Sequence, residues 1–245
     1  MKLDFTRKIS DAFLSVLLAP ICAACDQPLD EPMRGPVCLT CWEAIKRFTP
    51  PLCEVCGDPR LSWRTSAVEF NTCPRCRAGH HLVSHGRAIG EYDGSLRAII
   101  HALKYDGHRS IARPLARLMV ASGAGVLQNA DLAVPVPLHR AKRRARGFNQ
   151  AAEIAKHLTI PALDALKRTR ATISQTDLPA GARHANVRNA FALRRRVEVT
   201  GRVIVLVDDV CTTGATLEAC ARVLVDAGAS EVRALTAARV VAPPR

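Results

Sequence analysis

Residues 203–216 read VIVLVDDVCTTGAT and decide the fold. Val203, Ile204, Val205, Leu206 and Val207 form a short apolar run rich in β-branched side chains, which predicts a strand buried on both faces of a parallel sheet. Asp208 and Asp209 stand at its C-terminal end. A small, hydroxylated loop follows (Thr212, Thr213, Gly214, Ala215, Thr216), and a helix begins near Leu217 with Gly228 as its C-terminal stop. Working outward, RAIGEY (87–92), DLAVPVPL (131–138) and EVRALTAARV (231–240) predict further strands. SLRAIIHALKYDG (95–107), IARPLARLMVASGA (111–124) and AAEIAKHL (151–158) predict helices. The alternation calls for a mostly parallel α/β sheet flanked by helices.

The chemistry of the loop follows from its residue types. The first N–H groups of a helix lack partners within the helix and sit at its positive end, so they suit a phosphate. Gly214 and Ala215 add little bulk, and Thr212, Thr213 and Thr216 can add hydroxyl donors. Asp208 and Asp209 would repel a phosphate, but they accept hydrogen bonds from vicinal hydroxyls or hold a hydrated Mg²⁺. A ribose 5-phosphate satisfies both halves.

The stretch resembles the signature of type I phosphoribosyltransferases, which bind 5-phosphoribosyl-1-pyrophosphate (PRPP). The resemblance implies that Asp208 and Asp209 face the ribose hydroxyls and Thr212, Thr213, Gly214, Ala215 and Thr216 cradle the 5-phosphate. Cys211 falls on a variable position. Three further runs resemble the ComF family of bacterial DNA-uptake proteins: EYDGSLRAIIHALKYDGH (91–108), VPVPLHRAKRRARGFNQAAEIAKHL (134–158) and QTDLPAGARHANVRNAF (175–191). That resemblance covers nearly the whole chain. It implies a zinc-binding module at 1–85 joined to a phosphoribosyltransferase-like domain at 86–245.

Eight of the ten cysteines form four CxxC pairs: Cys22/Cys25, Cys38/Cys41, Cys53/Cys56 and Cys73/Cys76. Two intervening residues let a tight knuckle turn both sulfurs toward one metal, so four knuckles supply two tetrahedral Zn²⁺ sites. Disulfides and iron–sulfur ligation are the alternatives. Sequential pairing is simplest, and the spacing also allows an interleaved one. Closed four-cysteine sites leave no open position, which favours structural zinc, and the polar segments between knuckles need the metal to fold. Trp42 and Trp63 are expected to cover the sites, and Cys211 and Cys220 to act as small packing residues.

Two loops complete the expected site. HRAKRRARGFNQ (139–150) concentrates Arg140, Lys142, Arg143, Arg144 and Arg146 after the 131–138 strand, where the resemblance implies a pyrophosphate. A solvated basic loop or a nucleic-acid patch is the competing reading. The polar segment 171–188 matches the position of the flexible loop that closes over PRPP, with Gln175, Arg183, Asn186 and Arg188 as candidate contacts; Lys104 is another. The formal net charge of +13 favours anionic partners, and an aromatic content of 4% leaves few base-stacking platforms. At the N-terminus, Asp4 and Asp11 interrupt a signal-like segment, and Phe5, Ile9, Phe13 and Val16 recur at helical spacing. The expectation is a cytoplasmic protein without membrane insertion. It binds PRPP with Mg²⁺ and is linked to DNA uptake or nucleotide metabolism, as a transferase with an open acceptor. The alternative is a non-catalytic zinc protein that binds single-stranded DNA.

Overall fold

The computed structural model describes residues 19–60, 71–169 and 189–241. In chain order, the cysteine-rich region contributes two short helices, α1 (Leu39–Glu43) and α2 (Pro74–Arg77). The strand β1 (Val83–Glu91) follows, then α3 (Gly94–Tyr105), α4 (Ala112–Ser122) and β2 (Leu132–Pro135). Next come α5 (Arg140–Arg146), α6 (Gln150–Ala155) and the short strands β3 (Leu166–Arg168) and β4 (Phe191–Leu193). The chain closes with β5 (Val203–Cys211), α7 (Ala215–Asp226) and β6 (Glu231–Arg239).

The main sheet has the order β1-β6-β5-β2, and its pairings are parallel, with Leu206 opposite Ala234 on one side and Val134 on the other. β5 is therefore interior, as its unbroken apolar run demands. Its side chains alternate between two cores. Val205 and Val207 pack with Ile99, Ile100 and Leu103 of α3, Leu115 and Met119 of α4 and Ile154 of α6. Ile204 and Leu206 pack with Leu217, Cys220 and Leu224 of α7. The sheet is thus covered on both faces.

The connection after β2 crosses the first face through α6, while the connection after β5 crosses the second through α7. Where neighbouring parallel strands send their chains to opposite faces, a crevice opens at their C-terminal ends. Here it lies between Pro135–Leu138 and Asp208–Asp209.

The cysteine-rich region closes the other edge. Edge strands carry unpaired backbone groups. Phe48 N–H donates to the Ile89 carbonyl (2.8 Å) and Gly86 N–H to the Val55 carbonyl (2.6 Å), and Arg47 bridges Gly90. A Cβ at Gly90 would run into the Lys46 carbonyl, so the close approach requires glycine.

Two elements differ from expectation. The basic stretch after β2 is a helix, not a loop: Arg, Lys and Ala are good helix formers, His139 Nδ1 accepts from the Ala141 N–H (3.3 Å), and Gly147 (φ +77°) stops the helix in the left-handed conformation. The antiparallel pair β3–β4 joins residues on either side of the 171–188 segment, with Lys167 opposite Ala192. Three-residue strands carry too little periodicity to be read from sequence. No helix among the described residues is long and apolar enough to cross a membrane.

Candidate phosphoribosyl site and metal centres

Asp208 and Asp209 lie within β5, which runs two residues further to Cys211 than the apolar run and its acids predict. Asp208 Oδ1 accepts from the Asp209 N–H (2.9 Å) and Asp209 Oδ1 from the Val210 N–H (2.9 Å), which fixes both carboxylates against their own backbone. Asp209 is buried, and its Oδ2 pairs with the Lys104 ammonium reaching down from α3. Burial pushes the Asp208 carboxyl up to about 7, against the attraction of Lys104 and Arg168. Burial also lowers Lys104 to about 8; Asp208 opposes that shift, and Arg146 and Lys142 reinforce it. Two carboxylates and one ammonium thus share a poorly hydrated pocket, a setting that favours hydroxyl donors or a further cation. The donor set, carboxylate oxygens, is the kind that Mg²⁺ takes.

The turn expected to cradle a phosphate follows directly. Gly214 caps α7 with φ +84°, a conformation that L side chains rarely adopt, and the space a Cβ would occupy is open. Thr213 Oγ1 accepts from the Ala215 N–H (3.4 Å); Ala215 is buried, while Thr212, Thr213 and Thr216 are half-buried around the turn. Glu218, in the first turn of α7, would repel an anion. Its carboxylate instead turns away to accept from the Leu82 N–H (2.9 Å) and to face His81.

Across the crevice, the residues after α5 act as structural pins. Gly147 turns the chain, Phe148 is buried beneath the Arg109 guanidinium (4.6 Å), and Asn149 both caps α6 and donates to the Val136 carbonyl of the 131–138 segment (3.0 Å). Arg146 does not point to the acids: its Nη1 donates to Gln150 Oε1 (2.6 Å), and its guanidinium lies 5.0 Å from the Tyr105 ring centre. Asn149 and Gln150 start the helix where the sequence places its beginning, but nothing local in the ALKYDG and RGFNQ runs marks Tyr105 as the partner of Arg146 or Asn149 as a donor to the Val136 carbonyl. Arg183, with the rest of the expected closing loop, lies outside the described residues, as does Trp63.

The cysteines gather in two groups, Cys22/Cys25/Cys38/Cys41 and Cys53/Cys56/Cys73/Cys76, with all four sulfurs of each within 4.8 Å of one another. Pairing is sequential. The Sγ–Sγ separations of 3.9 Å (Cys22–Cys41), 3.8 Å (Cys25–Cys38) and 3.7 Å (Cys56–Cys73) are far from a disulfide's about 2.0 Å. They match the edge of about 3.8 Å that a tetrahedron with Zn–S bonds of about 2.3 Å requires. Backbone N–H groups of Ala24 and Cys38 point at Cys22 Sγ, and that of Cys73 at Cys53 Sγ, as thiolates favour. Trp42 packs half-buried against the core that the first group joins.

Residues 144–243 match the model of the phosphoribosyl transferase domain, and residues 13–77 that of the double zinc ribbon domain. The DNA utilization protein YhgH of Escherichia coli K12 is 33% identical over 223 residues, 87% of this chain and 94% of that protein. The chain belongs to the ComF family. Competence protein F of Haemophilus influenzae is 31% identical over 84% of this chain and 91% of its own length. Competence protein ComFC of Bacillus subtilis is 25% identical over 83% of this chain and 84% of its own. Along this chain the double zinc ribbon match thus precedes the phosphoribosyl transferase match.

Proposed function

We propose that this ComF protein binds PRPP together with Mg²⁺ at the β5–α7 turn, in the service of DNA uptake or use, and that its two four-cysteine groups hold structural Zn²⁺. The observation that carries the reading is one crevice with a paired-acid strand end, a left-handed Gly214 turn and the α7 N-terminus on one wall, and basic α5 on the other. The α7 amides and threonines take the 5-phosphate, and Asp208 and Asp209 take the ribose hydroxyls. Mg²⁺, when bound, neutralises diphosphate charge beside those carboxylates. Lys104 holds Asp209 until the sugar arrives. In a transfer reaction an acceptor's lone pair would form a bond to ribose C1 as the C1–O bond to pyrophosphate breaks, and the cations of α5 would stabilise the departing diphosphate. The competence and DNA-utilization names of the relatives supply the cellular context.

A second reading, single-stranded DNA binding, is favoured by a cavity of about 940 Å³ between α5, α6 and β3, lined by Arg109, Arg140, Arg143, Lys167, Arg168 and Arg194, among others.

Calorimetric titration of zinc-loaded protein with PRPP, with and without Mg²⁺, tests the first reading, followed by an assay of pyrophosphate release across candidate bases. Saturable, Mg²⁺-dependent binding is expected; no heat at millimolar PRPP rejects it.

A further inference from the structure

Tyr105 is an unusual residue to leave in water. Aromatic side chains make up 4% of the chain and only two are tyrosines. Yet Tyr105, the last residue of α3, is 63% exposed, more than Ile21, Met33 or Leu39 among the described residues. Its ring is nevertheless held. His101, one helical turn earlier, lies with its ring centre 4.5 Å away at 42°, and the Arg146 guanidinium sits 5.0 Å from the ring centre. Arg146 is in turn anchored on Gln150. The preceding residue, Lys104, contacts Asp209, so the end of α3 borders the acids directly.

An exposed aromatic face steadied in advance loses little freedom on binding, and its partner of choice is another flat π-system. The guanidinium now resting on it is itself planar and cationic, and it has a better partner once a diphosphate is present. We propose that Tyr105 is the stacking surface for a planar nitrogen heterocycle, a nucleobase, carried by the ribose or awaiting transfer to it, and that this ring takes the place of Arg146. The assignment rests on the PRPP reading, because the sugar subsite at Asp208 and Asp209 is what brings a ring to the end of α3.

The test compares ribose 5-phosphate with AMP and UMP, which share phosphate and sugar and differ by the base. Titrated into the full-length, zinc-loaded protein with inorganic pyrophosphate present throughout to draw Arg146 off the ring, at least one nucleotide should bind about tenfold more tightly than ribose 5-phosphate. Tyr105→Ala should bring that ratio to within about twofold of unity, and Tyr105→Phe should restore it, because stacking needs the ring and not the hydroxyl. The surface position makes both variants tolerable to the fold. Neither nucleotide binding better than ribose 5-phosphate, or a ratio that survives Tyr105→Ala, overturns the stacking role while leaving the sugar site standing. Failure of all three ligands to bind removes the sugar site and the stacking surface together.

Discussion

At the scale of single residues, the candidate site buries charge at a cost in stability. Asp208 is a carboxylate whose burial already disfavours its charge. Asp208→Asn should therefore leave the thermal midpoint unchanged or raised, while PRPP affinity falls at least tenfold as a charged acceptor is removed. Melting curves and calorimetry on the same preparation check both halves, and a large drop in midpoint would contradict the burial argument. Asp209→Asn should behave differently, because it strips the buried Lys104 ammonium of its carboxylate, and a lower midpoint is expected. Glu231 lies at the opposite extreme. Arg233 grips it through Nε (2.9 Å) and Nη2 (2.7 Å), with Ser84 as a further donor, and this holds its carboxyl down at about 2 against an ordinary 4.5. A depressed carboxyl stabilises the folded state above its unfolded pKa, and that contribution disappears as pH falls from about 4.5 to about 2. Glu231→Gln should flatten stability over that window, removing about 1 kcal/mol after solvent screening; urea titrations between pH 6 and pH 2 measure it.

At the scale of elements, legibility follows how much physics a stretch carries by itself. β5, its acids and the following turn can be read because a doubly buried strand, a left-handed glycine and a helix start each leave a local mark. Four CxxC knuckles are legible for the same reason, although only the folded chain shows which pairs meet. What stays hidden depends on distant partners. β3 and β4 pair across more than 20 residues, β1 begins at Val83, four residues before its apolar run, and Arg146 turns to Tyr105 because α3 happens to end there. Helix α5 reads as a loop because its charge outweighs its propensity: no apolar stripe marks it, and His139 and Gly147 define its ends only in three dimensions. Its exposed cations also give it a measurable job under the DNA reading. Reversing Arg140, Arg143 and Arg144 to Glu should flatten the slope of log K against log salt for single-stranded DNA by about 2 units (~0.7 for each phosphate no longer neutralised). An unchanged slope would place the DNA elsewhere.

At the scale of the whole molecule, the metal module and the sheet form one mechanical unit. Cys22, Cys41 and Ile45 share a core with Ile89 and Leu103, and the third knuckle, Cys53/Cys56, lies on β1 through Val55. One joint is ionic: Asp58, two residues past Cys56, pairs with the buried Arg239 at the end of β6 and with Arg75 (2.9 Å). Arg239 Nη1 also donates to Cys211 Sγ at the end of β5 (3.1 Å), immediately before the turn at 212–216. Loss of metal from that knuckle should therefore loosen the anion holding Arg239, and with it a brace of the loop that carries Thr212 to Thr216. Asp58→Ala should leave that guanidinium buried without a counter-charge and lower stability by about 3 kcal/mol. It should also weaken PRPP binding, although Asp58 makes no contact with the acids. Removing zinc should act more strongly still, since it also uncovers the hydrogen-bonding edge of β1. Metal analysis should find two Zn²⁺ per chain, and a strong chelator should lower the thermal midpoint and PRPP affinity in step. If chelated protein melted and bound PRPP like the loaded form, the joint through Asp58 and Arg239 would carry no coupling between the two halves.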